Sequence, residues 1–163
     1  KDLPGRVAAF DLVADRDDGV RLVIAGPDGW GGPGFDDALG RARHRDRIER
    51  TGWVDDDRRA SLLRDATVLA YPSRYEGFGL PPLEAMAVGT PVVATDAGAL
   101  PEVLGDAADL VPVGDVEALA AALGRVLDDD RHRAASAARG LERVRGYSWA
   151  ACIDGIVDLY GRA

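Results

Sequence analysis

Apolar residues recur near helical spacing over 3–14, and a short continuous apolar run follows over 21–25. The same two signals then alternate along most of the chain. Helical patterns fall at 35–43, 56–65 (with Leu62 and Leu63 inward), 82–88, 116–127 and 131–145. Compact strand-like runs fall at 48–53, 67–71, 91–95 and 109–111. Strands that are apolar throughout, rather than alternating, belong to parallel sheets covered on both faces. The pattern therefore predicts a doubly wound α/β domain, whose ligands bind beyond the carboxyl ends of the strands. The loop starting at Gly26 and the turn holding Glu76 both follow strands, which predicts that they share that edge. The tail differs in character. Ser148 is a good helix cap, and Ile153, Ile156, Val157 and Tyr160 recur at i, i+3, i+4 and i+7, which predicts an amphipathic helix over 148–161 packed on the domain.

Composition narrows the picture only a little. A chain of 163 residues, 47% hydrophobic and 29% charged, is one domain with enough chain to bury its own core. The formal charge of −8 argues against nucleic acid, whose binding requires a basic face. No apolar run reaches the eighteen or so residues that span a bilayer, and no signal peptide is visible at Lys1. The first residue is not Met, which suggests a piece of a longer protein. The single cysteine, Cys152, excludes an internal disulfide and is expected to be a small, at least half-buried helix residue. Arginine supplies nearly all the cations, with Lys1 the one lysine and no Asn or Gln; this reads as a genomic bias.

The chemistry concentrates in Glu76-Gly77-Phe78-Gly79-Leu80-Pro81-Pro82-Leu83-Glu84. Residues 78–81 make the crossing from a buried strand into a helix. Prolines at the first helical positions lose nothing, because amides there have no intrahelical acceptor. The free amides of such a start, with the helix dipole, suit an anionic phosphate. Gly77 and Gly79 let backbone approach a ligand closely. Glu84 stands about 6 Å along the axis from Leu80 at about 1.5 Å per residue. A phosphate on the turn would therefore have a carboxylate near each end, a plausible seat for a sugar nucleotide. Two carboxylates alone would also suit a glycosidase, but one of these sits on a phosphate-binding helix start.

These residues carry a resemblance. The segment from Tyr71 to Ala94, with seven residues between Glu76 and Glu84, resembles the donor-site signature of retaining GT-B glycosyltransferases. Leu100-Pro101-Glu102-Val103 with Gly105-Asp106-Ala107-Ala108 is similar to the mannosyltransferase-like branch of that group. The likeness extends over nearly the whole chain. It implies a Rossmann-like half of a GT-B fold that binds a nucleotide diphosphate sugar, GDP-mannose favoured. The intact enzyme would be a hexosyltransferase that moves the sugar to an acceptor hydroxyl with retention. The partner half, an N-terminal acceptor-binding domain, would carry the acceptor site, so this chain alone should bind nucleotide and transfer nothing. The resemblance further implies that Glu76 lies beside the donor sugar as the catalytic carboxylate. Glu84 accepts from the ribose hydroxyls, a reasonable match for an ionised oxygen. Phe78, Gly79 and Leu80 offer amides to the distal phosphate and sugar, Gly26 lines the donor cleft, and Val54 faces the base through its backbone. Lys1 resembles the lysine of the family's Arg…Lys pair that neutralises the diphosphate; the arginine would lie before the chain begins. The terminal helix would cross to the other domain, leaving part of its apolar stripe exposed here. No cofactor or metal is expected, and the enzyme would be cytoplasmic or peripheral to the inner membrane face.

Other motifs point elsewhere. Gly29, Gly31 and Gly34 form a literal GxGxxG, the fingerprint of a dinucleotide site, but Pro33 interrupts it and the loop is longer than the motif's tight turn. A sugar-nucleotide epimerase, an NAD-binding dehydrogenase and a non-catalytic sugar-nucleotide sensor are the rival expectations. Asp55-Asp56-Asp57 and Asp128-Asp129-Asp130 suggest a metal but precede or link helices, where Asp serves as cap and solvated charge. His44 and His132 are expected on exposed helices without catalytic partners. Arg74 could screen phosphate charge, and Arg59, where the group often has an apolar residue, could meet a base edge.

Overall fold

The computed structural model describes residues 1–27 and 32–161. Five parallel strands alternate with helices as the pattern predicts, in ladders of two and three. β1 (Leu22–Ala25) pairs with β2 (Ile48–Gly52), and β3 (Leu69–Tyr71), β4 (Val92–Thr95) and β5 (Asp109–Val111) pair in that order. Among the described residues no ladder joins β1 to β3. The helix α1 (Leu3–Ala14) spans the two ladders instead. Its Val7, Phe10 and Ala14 pack with Ile24 and Ile48, while Ala9 and Val13 pack with Val93 and Val111.

The three-stranded ladder is covered on both faces, as its continuous apolar strands require. Tyr71, Val92 and Ala94 face α4 (Leu80–Ala87) and α5 (Leu100–Leu104). Val93 and Val111 face α1 and α6 (Val116–Asp128). Two further helices, α2 (Gly32–Arg41) and α3 (Asp56–Asp65), follow β1 and β2. α7 (Asp130–Val144) crosses α4 and is tied to α5 by Arg143, whose Nε donates to the Val103 carbonyl at 2.9 Å.

Several expectations are corrected. α4 begins at Leu80, two residues before the expected start, because Gly79 takes the cap position and Pro81 and Pro82 then fall in the first turn. α5 was not expected as an element; five residues are too few to show a helical period. α8 (Trp149–Gly161) forms but does not pack on the domain. Ile153, Val157 and Tyr160 are 57%, 62% and 81% exposed, and Cys152 is exposed with them. The periodicity of that stripe was real; what it faces lies outside this chain's own core. His132 is also not a solvated helix residue. It is half-buried, and its Nε2 meets Asp109 at 2.6 Å, fastening α7 to β5. His44 lies in the turn after α2, between Asp15 and Arg47.

Candidate donor-phosphate site

The turn between β3 and α4 is fixed by its neighbours before any ligand enters. Asp2 N–H donates to the Pro72 carbonyl at 2.9 Å, tying the start of α1 to the end of β3. The Thr95 hydroxyl donates to the Ser73 carbonyl, tying in the end of β4. Ala99 N–H donates to the Glu76 carbonyl at 3.0 Å. Gly98 stands so close to this carbonyl that a Cβ on it would lie 2.3 Å from the oxygen, and its φ of +56° lies in the region that favours glycine. The loop 96–99 is thus seated directly against the Glu76 backbone.

On this base the Glu76 side chain gathers three donors on one oxygen. Lys1 Nζ lies 2.5 Å from Oε1, the Ser73 hydroxyl 2.7 Å and the Tyr71 hydroxyl 2.9 Å. Lys1 also donates to the Tyr71 hydroxyl. Burial alone would lift the Glu76 pKa; the hydrogen bonds from Lys1, Ser73 and Tyr71 and the Lys1 charge outweigh it and hold the carboxyl below its usual range. The Tyr71 phenol moves the other way, pushed up by burial and then by its bond to Glu76. Glu76 is therefore an aimed, ionised group. Tyr71 and Ser73 are the residues that sequence reasoning did not single out here. Their signal, hydroxyls within five positions of a site glutamate, is too common to be read alone.

Glu84 is held differently. It faces Arg59 of α3, whose Nε lies 3.3 Å from Oε2, yet Oε2 is buried and accepts no hydrogen bond. A buried acceptor left open is costly unless something else fills it. Between the two carboxylates, the amides of Gly77, Phe78, Gly79 and Leu80 donate no hydrogen bond among the described residues. Gly79 caps α4 with φ +106°, against the Leu100 side chain. Pro81 and Pro82 lack N–H groups, so the donors available to an anion are these loop amides and not the interior of the first turn. Phe78 is partly exposed and meets Tyr147 edge-on, with ring centroids 5.8 Å apart.

The remaining expected residues are not brought into this network. Gly26 donates to the Gly52 carbonyl at 2.9 Å, at the carboxyl end of the β1–β2 ladder, and Val54 is half-buried just beyond β2. Arg74 pairs with Asp2 at 3.2 Å. Gly29 and Gly31 of the GxGxxG pattern lie outside the described residues. Asp55 and Asp129 cap α3 and α7, accepting from Arg58 N–H at 2.8 Å and from Arg131 N–H at 2.9 Å. Among the described residues no group of three His, Cys, Asp or Glu is placed to hold a metal, and no helix is long and apolar enough to cross a membrane.

Parallel ladders under helices, with a carboxylate-flanked loop opening onto a helix start, define one Rossmann-like half of a GT-B glycosyltransferase. Residues 5–129 match the family model described as Glycosyl transferases group 1, and the chain belongs to that family. It is 37% identical over 139 residues to the O-antigen chain mannosyltransferase B of Escherichia coli, covering 85% of this chain and 36% of the relative. It is 42% identical over 166 residues to a phosphatidyl-myo-inositol mannosyltransferase of Mycobacterium leprae, covering 97% and 40%. The chain thus spans well under half the length of these curated relatives. Among solved structures, sucrose-phosphate synthase from Thermosynechococcus elongatus superposes with a TM-score of 0.83 at 29% identity, over 99% of this chain and 42% of that one. The C-terminal domain of a glycosyl transferase group 1 protein from Francisella tularensis superposes at 0.79 and 27% identity, over 89% and 78%. These relatives lend nothing to the epimerase or dehydrogenase readings.

Proposed function

We propose that this chain is the donor-binding half of a retaining glycosyltransferase and seats a nucleotide diphosphate sugar on the turn between Glu76 and Glu84. The observation that supports this best is the contrast in partners: Glu76 is aimed and ionised by Lys1, Tyr71 and Ser73, while Glu84 at the other end of the turn has an Oε2 that is ion-paired with Arg59 at 3.3 Å but accepts no hydrogen bond. Glu84 accepts from the ribose hydroxyls, and the amides from Gly77 to Leu80 receive the diphosphate. Lys1 offsets its charge. In the intact enzyme the bond from the anomeric carbon to the diphosphate oxygen breaks and one to the acceptor oxygen forms on the same face, the acceptor hydroxyl's proton passing to the departing diphosphate oxygen. Negative charge grows on the leaving diphosphate, where the loop amides stabilise it, and Glu76 faces the positive charge that grows on the sugar ring. Two relatives named as mannosyltransferases are in keeping with a mannosyl donor, and we take GDP-mannose as the expected one. The acceptor-binding half completes the enzyme, and the apolar stripe of α8 is the surface it would cover.

Calorimetric titration of the chain with GDP, UDP, ADP, GDP-mannose and NAD tests this. Selective binding of one nucleoside diphosphate supports the reading and names the base; binding of NAD alone replaces it with the dehydrogenase. Sugar transfer by this chain on its own would overturn the claim that the other half is required.

A further inference from the structure

The glutamate turn is anchored at its ends and not at its middle. The Glu76 carbonyl accepts from Ala99 N–H, and Gly79 lies against the Leu100 side chain. Phe78 stands between them, flanked by two glycines, the residue type whose backbone is least restrained. Its amide donates no hydrogen bond among the described residues. What restrains Phe78 is therefore its side chain. The ring is 44% exposed, and its one ring contact among the described residues is Tyr147, edge-on with the planes at 81°, a favoured geometry for aromatic pairs. Tyr147 is held far more firmly than Phe78. Its hydroxyl donates to the Val103 carbonyl at 2.9 Å and its N–H to the Val144 carbonyl at 3.0 Å. The Arg143 guanidinium lies over its ring, 5.7 Å from the centroid, and itself donates to the carbonyls of Val103 and Glu102. Although it stands only two residues before α8, Tyr147 is thus fastened to α5 and α7, and the loosely held ring it meets is Phe78.

We propose that Tyr147 is a positioning residue of the donor site: its ring fixes Phe78, and through Phe78 the loop amides that receive the diphosphate. The proposal rests on the donor-site reading above and deepens it, by naming what sets the loop before a ligand arrives. Tyr147 acts without touching the nucleotide. An amide already aimed needs no ordering when the anion binds, and a loop competent only part of the time binds more weakly in proportion. The nucleoside end of the ligand is held on α4 at Glu84, so the effect of Tyr147 falls on the phosphates.

The test is calorimetry on wild type, Tyr147→Leu, Tyr147→Phe, Phe78→Leu and the double variant Phe78→Leu with Tyr147→Leu. Each is titrated with whichever of GDP, UDP and ADP wild type prefers, with the matching nucleoside, and with inorganic pyrophosphate; each is also melted without ligand. Tyr147→Leu is expected to weaken diphosphate and pyrophosphate binding about fivefold, the scale of one edge-on aromatic pair, and to leave the nucleoside within about twofold. Tyr147→Phe keeps the ring, so it should recover most of the affinity even where its melting temperature stays low for want of the bond to Val103. Phe78→Leu leaves every bond of Tyr147 in place and reads the same contact from its other side. It should cost about as much as Tyr147→Leu, and the double variant no more than either alone. Unchanged diphosphate binding in Phe78→Leu or in a folded Tyr147→Leu overturns the proposal, as does an equal loss for nucleoside and diphosphate, or losses that simply add in the double variant. Failure of wild type to bind any of the three ligands overturns the donor-site reading itself, and Tyr147 with it.

Discussion

Glu76 and Glu84 flank one turn, yet the protein treats them in opposite ways. Glu76 receives three side-chain donors on a single oxygen and has its backbone wedged by the loop 96–99. Glu84 has one ion pair, from its buried Oε2 to Arg59 at 3.3 Å, and that oxygen accepts no hydrogen bond. The first carboxylate is positioned by the fold; the second is, on the proposed reading, the one left for a ligand. Residues of the same type at the two ends of one motif can therefore differ in what their removal costs: stability at one, affinity at the other.

The comparison can be broken most severely at Gly98. Gly98→Ala forces a Cβ toward the Glu76 carbonyl from a left-handed backbone, and should destabilise the chain by about 3 kcal/mol in denaturant melts. Nucleotide affinity should fall with it, because Glu76 moves. Next in size, Glu84→Ala should reduce nucleoside diphosphate affinity by about 1.5–3 kcal/mol, the range for bonds to a charged group, while the melting temperature barely changes. A Glu84→Ala variant that melts early but binds normally would reverse the assignment of the two carboxylates. Ser73→Ala removes one donor to Glu76 and should cost about 1 kcal/mol of stability, with the Glu76 carboxyl rising toward its ordinary 4.5.

The smallest effect is read by pH. Because the folded Glu76 pKa is depressed below its ordinary 4.5, its contribution to stability is full above that value and disappears as pH falls through the lower folded one. The stability difference between wild type and Glu76→Gln should therefore be constant near neutrality and shrink below about pH 4.5. A gap that persists undiminished well below that pH would mean that the glutamine variant fails for reasons of shape and not of charge.

Much of this was legible from residue order. The alternation of short runs with helical patterns located all five strands; β3 and β4, covered on both faces, are continuous apolar runs, whereas β1 and β2 keep exposed positions at Val23, Glu49 and Arg50. Lys1, Glu76 and Glu84 stood out through the resemblance, and the structure joins the first two directly at 2.5 Å. Tyr71, Ser73 and Gly98 did not stand out. Gly98 touches Glu76 only because β3 and β4 are adjacent and in register, and hydrophobic pattern says nothing of strand order. For α8 the pattern showed an apolar face correctly and its covering wrongly, since periodicity reports that a face is apolar and not what lies against it.

The tethers on the glutamate turn also bear on how it opens. Pro72 is bonded to Asp2, Ser73 to Thr95 and Glu76 to Ala99, so the segment is laced to α1, β4 and the loop after β4 at once. A loop held at one point can detach while the core stays closed; one laced to three elements opens only when they part. In hydrogen exchange, the Asp2 and Ala99 amides should then share one slow rate, as members of a single cooperative unit reaching from the first residues of the chain to α5.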